Sequence, residues 1–123
     1  MGKKEWILKE KSYMFAVRIV RLAQFLQQEK REFVLNKQVL KSGTSVGALI
    51  REVEFAQSDA DYINKLSVSL KEANETAFWL SLLKDTDYLE ENLFNSLFAD
   101  CNELISILIP SINTMKNKKT LNS

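Results

Sequence analysis

Gly43 and Gly47 lie four residues apart in Leu40-Lys41-Ser42-Gly43-Thr44-Ser45-Val46-Gly47-Ala48-Leu49-Ile50-Arg51-Glu52, a stretch whose pattern is otherwise helical. Each glycine costs a helix interior about 1 kcal/mol relative to alanine. Residues four apart share a face, so the pair clears a bare strip on which a second helix can come unusually near. Close helix packing offsets the cost. The competing reading, a phosphate-binding loop, lacks the Gly-Lys-Ser/Thr ending, and no strand precedes the glycines. Thr44 and Ser45 beside them can bond back to a carbonyl one turn earlier or across the helix contact. The chain is thereby directed to a fold of packed helices.

Hydrophobic periodicity predicts four of them. The first spans about Lys11 to Gln28, with Phe15, Ile19, Leu22 and Leu26 on one stripe widened by Ala16, Val20 and Ala23. Gln28 to Glu32 reads as a loop or frayed end. The second helix is expected to start at Asn36 as N-cap and run to about Gln57, burying Val39, Gly43, Val46, Ile50 and Val53. Ser58-Asp59-Ala60-Asp61 is the clearest start signal, a capping serine followed by two acids in the first turn. From it Ile63, Leu66, Leu70, Ala73, Ala77 and Leu80 alternate by three and four, a coiled-coil-like seam. Asp85-Thr86-Asp87 breaks that run. The fourth helix spans about Glu90 to Met115, with Phe94, Leu97, Cys101, Leu104, Leu108 and Met115 on its stripe. Pro110 lies within it and is expected to kink it or end its regular part early. The expected organisation is a charged N-terminal leader (1–10), an all-α, antiparallel up-down-up-down four-helix bundle (11–115) and a disordered basic tail (116–123).

Composition narrows the chemistry. Among 123 residues there is no histidine, which removes the commonest general base and transition-metal ligand. Cys101 is the only cysteine, so neither an intrachain disulfide nor a cysteine-based zinc site can form. Glu52, Glu54, Glu72 and Glu75 could be read as a carboxylate metal site. Arg51, Lys65 and Lys71 nearby make ion pairing the better reading, with Asp61/Lys65 and Lys71/Glu75 as pairs at four-residue spacing. Cys101, on an apolar stripe with no base to activate it, reads as a buried inert thiol. No catalytic constellation, metal or cofactor is expected. The charged start has no apolar signal core, and no run approaches the roughly 18 apolar residues of a membrane span. A cytoplasmic protein is expected.

Charge is spread unevenly behind a net value of +1. Residues 1–51 hold eleven Lys/Arg against four acids, and residues 52–115 hold twelve acids against three lysines. Such asymmetry fits a basic surface for a polyanion or complementary faces that meet inside an oligomer. Arg18, Arg21, Lys37, Lys41 and Arg51 are the candidate phosphate contacts. Against that stands the plainer reading, solvated helix faces and pairs with the acids of the third and fourth helices. Gly43 and Gly47 are helix-packing residues. Lys65, Glu72, Glu75, Phe78 and Trp79 are candidates for a subunit interface, Glu72 and Glu75 in a carboxylate–lysine cluster, Phe78 and Trp79 because the end of the third helix is apolar on more than one side. Trp6, in the charged leader, is expected to pack on the bundle or on a neighbouring subunit.

Several spaced motifs carry a resemblance covering about residues 6 to 115. They are Phe15-Ala16-Val17-Arg18-Ile19-Val20, Ser42 to Ala48, Ile50-Arg51-Glu52, Ala56-Gln57-Ser58, Lys65-Leu66-Ser67, Leu70-Lys71-Glu72-Ala73, Glu75-Thr76 and Trp79-Leu80. In this order they resemble the bacterial four-helix-bundle proteins first noticed as open reading frames in intervening sequences of large-subunit ribosomal RNA genes. The same fold group includes the accessory variability determinant of diversity-generating retroelements. That protein forms a pentameric barrel with a basic surface, binds nucleic acid and partners a reverse transcriptase. The resemblance implies a homopentamer and a role with RNA or DNA, with a reverse transcriptase or another protein as partner. It implies no catalytic activity. The chain departs from the pattern at Pro110, where the family continues its last helix, and in its near-neutral charge. The expected function is that of a nucleic-acid-associated accessory protein; the alternative is a protein–protein scaffold that binds no nucleic acid.

Overall fold

The structure, a computed structural model, describes residues 2–121. It contains α1 (Lys3–Gln28), α2 (Leu35–Glu52), a 3-10 turn (Val53–Phe55), α3 (Asp59–Asp85) and α4 (Glu91–Leu121). Consecutive helices pack on each other and α1 also meets α4, closing a four-helix bundle. Cross-helix contacts give the directions. Gly47 lies on Ser12 and Gly43 on Ile19, while Asn36 reaches the Ala23 carbonyl. Going up α1 therefore means going down α2. Ser69 bonds the Val46 carbonyl and Thr76 bonds Ser42, so α2 and α3 also run opposite ways. Lys11 with Glu103 and Arg18 with Asp100 do the same for α1 and α4.

The α1 stripe is buried as its spacing predicts, with Phe15, Ile19, Leu22, Ala23 and Leu26 inside, though Val20 is exposed. The helix begins at Lys3 rather than near Lys11, because Leu8, seven residues before Phe15, is on the same stripe and fully buried. Residues 3–10 of the expected leader are thus helical and continuous with the bundle. At the other end α4 runs on to Leu121, so residues 116–121 of the expected tail are helical, while residues 122 and 123 lie outside the described residues. Pro110 lies inside this helix without ending it. Pro110 and Ser106 are both exposed, so the carbonyl that loses its helix donor one turn back can bond water instead.

Asn36 does not cap α2. Glu32, buried in the α1–α2 connection, places its carboxylate over the helix start and accepts from the amides of Val34 (3.2 Å), Leu35 (3.0 Å) and Asn36 (2.7 Å). Three of the four free donors of the first turn are satisfied by one charged group at the positive end of the helix dipole. Asn36, already inside the helix, turns its side-chain amide to the carbonyls of Ala23 and Glu32. Arg31 makes the preceding reversal with a φ of 54°, and the Glu32 amide closes it onto the Leu26 carbonyl at 2.9 Å. Ser58 caps α3 as its sequence indicates, accepting from the Asp61 amide at 3.1 Å.

The seam of α3 differs in phase from the apolar alternation. Its fully buried line is Leu66, Ser69, Ala73, Thr76, Leu80 and Leu83. Ile63, Leu70 and Ala77 are only partly buried beside it. Two hydroxyl residues occupy core positions because each finds a partner there. Ser69 donates to the Val46 carbonyl at 3.0 Å. Thr76 lies 2.9 Å from the Ser42 hydroxyl and 2.8 Å from the Glu72 carbonyl. Small side chains at these points let α2 approach α3 on one side as its glycines let it approach α1 on the other.

Candidate nucleic-acid interface

The spacing Lys37, Lys41, Thr44, Ala48, Arg51 alternates four and three, and so marks one line along α2. Lys37, Lys41, Ala48 and Arg51 are exposed. The opposite side of the helix carries the core residues Val39, Gly43, Val46 and Ile50. None of the three cations forms an ion pair among the described residues. They extend over about 21 Å of helix axis at 1.5 Å per residue.

The other two candidate contacts sit elsewhere. Arg18 lies on the α4 flank of α1. Its guanidinium is bound to the Asp100 carboxylate (2.6 Å) and to the Ser96 hydroxyl (3.0 Å) and carbonyl (3.4 Å). Arg21, one turn on along that flank, is exposed and donates to the Gln24 side-chain oxygen at 3.3 Å. The five basic residues therefore divide into a line on α2 and a pair on α1, and Arg18 is already committed within the chain.

Part of the charge is likewise neutralised within the chain. Lys9 pairs with Glu54 at 2.6 Å, Lys11 with Glu103 at 3.1 Å, and Lys65 with both Glu52 (3.5 Å) and Asp61 (3.8 Å). Lys71 and Glu75 do not form the ion pair their spacing suggests; Glu75 accepts from the Trp79 indole at 3.4 Å. Glu72 is partly buried and offers its backbone carbonyl to Thr76. Phe78 is 57% exposed and meets the partly buried Trp79 edge to face at 4.9 Å.

Beside the basic line runs a groove of about 220 Å³ between α1 and α2, lined by Tyr13, Ala16, Thr44, Gly47, Ala48 and Arg51 among others. Gly47 and Ala16 make its floor shallow. Tyr13 is exposed, and Trp6 and Val20, each seven residues away, continue the same line of α1. Tyr13, Thr44 and Ala48 are members of this face that sequence reasoning missed. The four-three spacing through Lys37 and Arg51 is the signal that finds two of them.

A larger pocket of about 590 Å³ opens at the end of the bundle, where the start of α1 meets the 3-10 turn and the start of α3. Its floor is Leu8, Ile50, Val53 and Leu66. Its polar groups are occupied by one another. The Tyr62 hydroxyl donates to Glu5, whose other oxygen accepts from the Gly2 amide at 2.9 Å, and Lys9 holds Glu54. Burial, with the hydrogen bond and charge of Glu5, holds the Tyr62 phenol above its ordinary range. These contacts tie the expected leader to the bundle end.

Cys101 is fully buried, its thiol 3.1 Å from the Ala73 carbonyl, and burial pushes it up to about 12. Among the described residues no group of three or more His, Cys, Asp or Glu could hold a metal ion, and no helix is long and apolar enough to cross a membrane.

Comparison with known proteins adds a family. A protein of unknown function from the S23 ribosomal protein family of Bacteroides thetaiotaomicron, known from a crystal structure, is 53% identical to this chain. The two superpose with a TM-score of 0.88, over 89% of this chain and 98% of the other. No curated protein matches. The family model described as 23S rRNA-intervening sequence protein matches residues 4–110. Over that span run the α1 stripe, the glycine contact of α2 and the seam of α3, and the chain belongs to the 23S rRNA-intervening sequence protein family.

Proposed function

We propose that this protein is a non-enzymatic accessory protein that assembles into a homopentameric ring and binds nucleic acid along the outer face of α1 and α2. The observation that carries the reading is the line of Lys37, Lys41 and Arg51, three exposed cations without a carboxylate partner among the described residues. Cations left free while their neighbours are neutralised make a local positive field despite a net charge of +1. A ring repeats that line once per subunit, so a modest patch becomes a continuous one. Phe78 and Trp79, on α3 and outside this face, supply the apolar contact between subunits.

A second reading, a scaffold that binds only proteins, is favoured by one observation: Phe55 in the 3-10 turn is 80% exposed. Binding of the purified protein to a structured RNA and to a DNA duplex across a salt series separates the two. Tight binding with a steep salt dependence supports the first reading. Absence of binding at low salt overturns it and leaves the scaffold. Light scattering tests the ring. Five times the 14.2 kDa of one chain is expected, falling to a single chain in Phe78→Glu with helical content unchanged. A monomeric wild type would contradict it.

A further inference from the structure

We infer that the nucleic acid taken by this face is single-stranded, its bases stacking on Tyr13 and Trp6 while the cations of α2 follow its phosphates. The inference rests on the function proposed above and narrows it.

Tyr13 and Trp6 are 58% and 59% exposed, far more than a large aromatic residue on a packed helix requires. They are seven residues apart on one line of α1, about 10 Å along the axis. Among the described residues neither ring stacks on another aromatic side chain, the close ring pairs being Phe78 with Trp79 and Phe94 with Phe98. Around Tyr13 the groove is lined by the small residues Ala16, Thr44, Gly47 and Ala48 and by the long cations Lys9 and Arg51, and the ring remains 58% exposed among them. Arg51 lies at the same groove, so a cation and an open aromatic face are presented together.

A duplex offers such a surface only phosphates and groove edges, because its base faces are stacked inside. A single strand offers both phosphates and π-faces. Aromatic platforms beside a basic track are the general solution for holding one. The line from Lys37 to Arg51 is straight and one cation wide, which matches one backbone rather than two.

The test uses the full chain and a labelled oligouridylate of about a dozen nucleotides, within the usual range of single-strand site sizes, against an RNA duplex of equal length in the same salt. Binding of the strand at least about tenfold tighter than the duplex is expected. Tyr13→Ala should weaken strand binding about tenfold and leave duplex binding unchanged, while Tyr13→Phe should bind like the wild type. Lys41→Ala should weaken both. Tyr13 is exposed, so the variants fold, which circular dichroism verifies. A duplex bound as tightly as the strand, or a neutral Tyr13→Ala beside a weakened Lys41→Ala, overturns the single-strand inference and leaves nucleic-acid binding standing. A Tyr13→Ala protein that loses its assembled mass also overturns it, by making the ring a subunit contact. Failure of both nucleic acids to bind overturns the inference and the proposed function together.

Discussion

Gly43 of α2 sits directly on Ile19 of α1: a Cβ added at Gly43 would lie 2.8 Å from both Cγ1 and Cγ2 of that side chain. Ile19 is fully buried and β-branched, so it has little freedom to turn aside. Four residues on, a Cβ at Gly47 would lie 3.1 Å from the Ser12 carbonyl oxygen, which belongs to backbone. The two contacts set how closely α1 and α2 approach, and hence how shallow the outer groove between them is.

Gly43→Ala is expected to destabilise the bundle by up to about 2 kcal/mol, since overpacking costs about 1–3 kcal/mol and the gain in helix propensity returns about 1. Urea denaturation measures it. Ile19→Val should give no relief, because valine keeps both offending Cγ atoms. Ile19→Ala removes them, so the double variant should be more stable than the sum of the two single losses.

Glu32 is the cap of α2, and its loss should cost more than that of Asn36. Glu32→Ala strips three backbone donors of a charged acceptor and is expected to cost about 2 kcal/mol. Asn36→Ala removes two donations to carbonyls but also a buried oxygen, Oδ1, that has no hydrogen-bond partner. Its expected cost is about 1 kcal/mol. The reverse order in thermal or urea unfolding would return the cap to Asn36.

Cys101 is expected to be inert to thiol reagents in the folded protein at pH 8 and to react fully on unfolding. Its thiol is raised from 9.0 in the unfolded chain to about 12 in the fold. The folded state therefore holds the proton more tightly, and this contribution to stability is complete below pH 9. It is lost as the pH rises from about 9 towards about 12. Tyr62, raised for similar reasons, acts in the same direction above its ordinary value of 10.0. Cys101→Ala should flatten the alkaline decline measured by urea unfolding at about pH 8, below that window, and at about pH 10.5, inside it.

The core stripes of α1, α2 and α4 are legible in the sequence because large aliphatic residues recur at helical spacing, and Ser58 is legible because its cap and acids are contiguous. Other features fail for physical reasons. Ser69 and Thr76 are hydroxyl residues whose burial depends on a carbonyl and a hydroxyl supplied by α2, which no local pattern reveals. The start of α1 was masked by the charges around Leu8. Asn36 carries a good N-cap residue type, but a carboxylate four residues earlier reaches the same donors first. Among the candidate contacts, Lys37, Lys41 and Arg51 share a line by periodicity alone. That Arg18 is instead bound to Asp100 depends on a contact spanning 82 residues.

The central claim is that this α2 line contacts phosphate. Its most direct test is the salt dependence of RNA binding by the wild type and by the Lys37→Ser, Lys41→Ser, Arg51→Ser triple variant, beside Arg18→Ser. Loss of three phosphate contacts per bound strand should lower the slope of log K against log salt by about 2. Arg18→Ser should reduce stability and leave the slope unchanged. A triple variant with the wild-type slope and affinity would place the binding surface elsewhere and contradict the account.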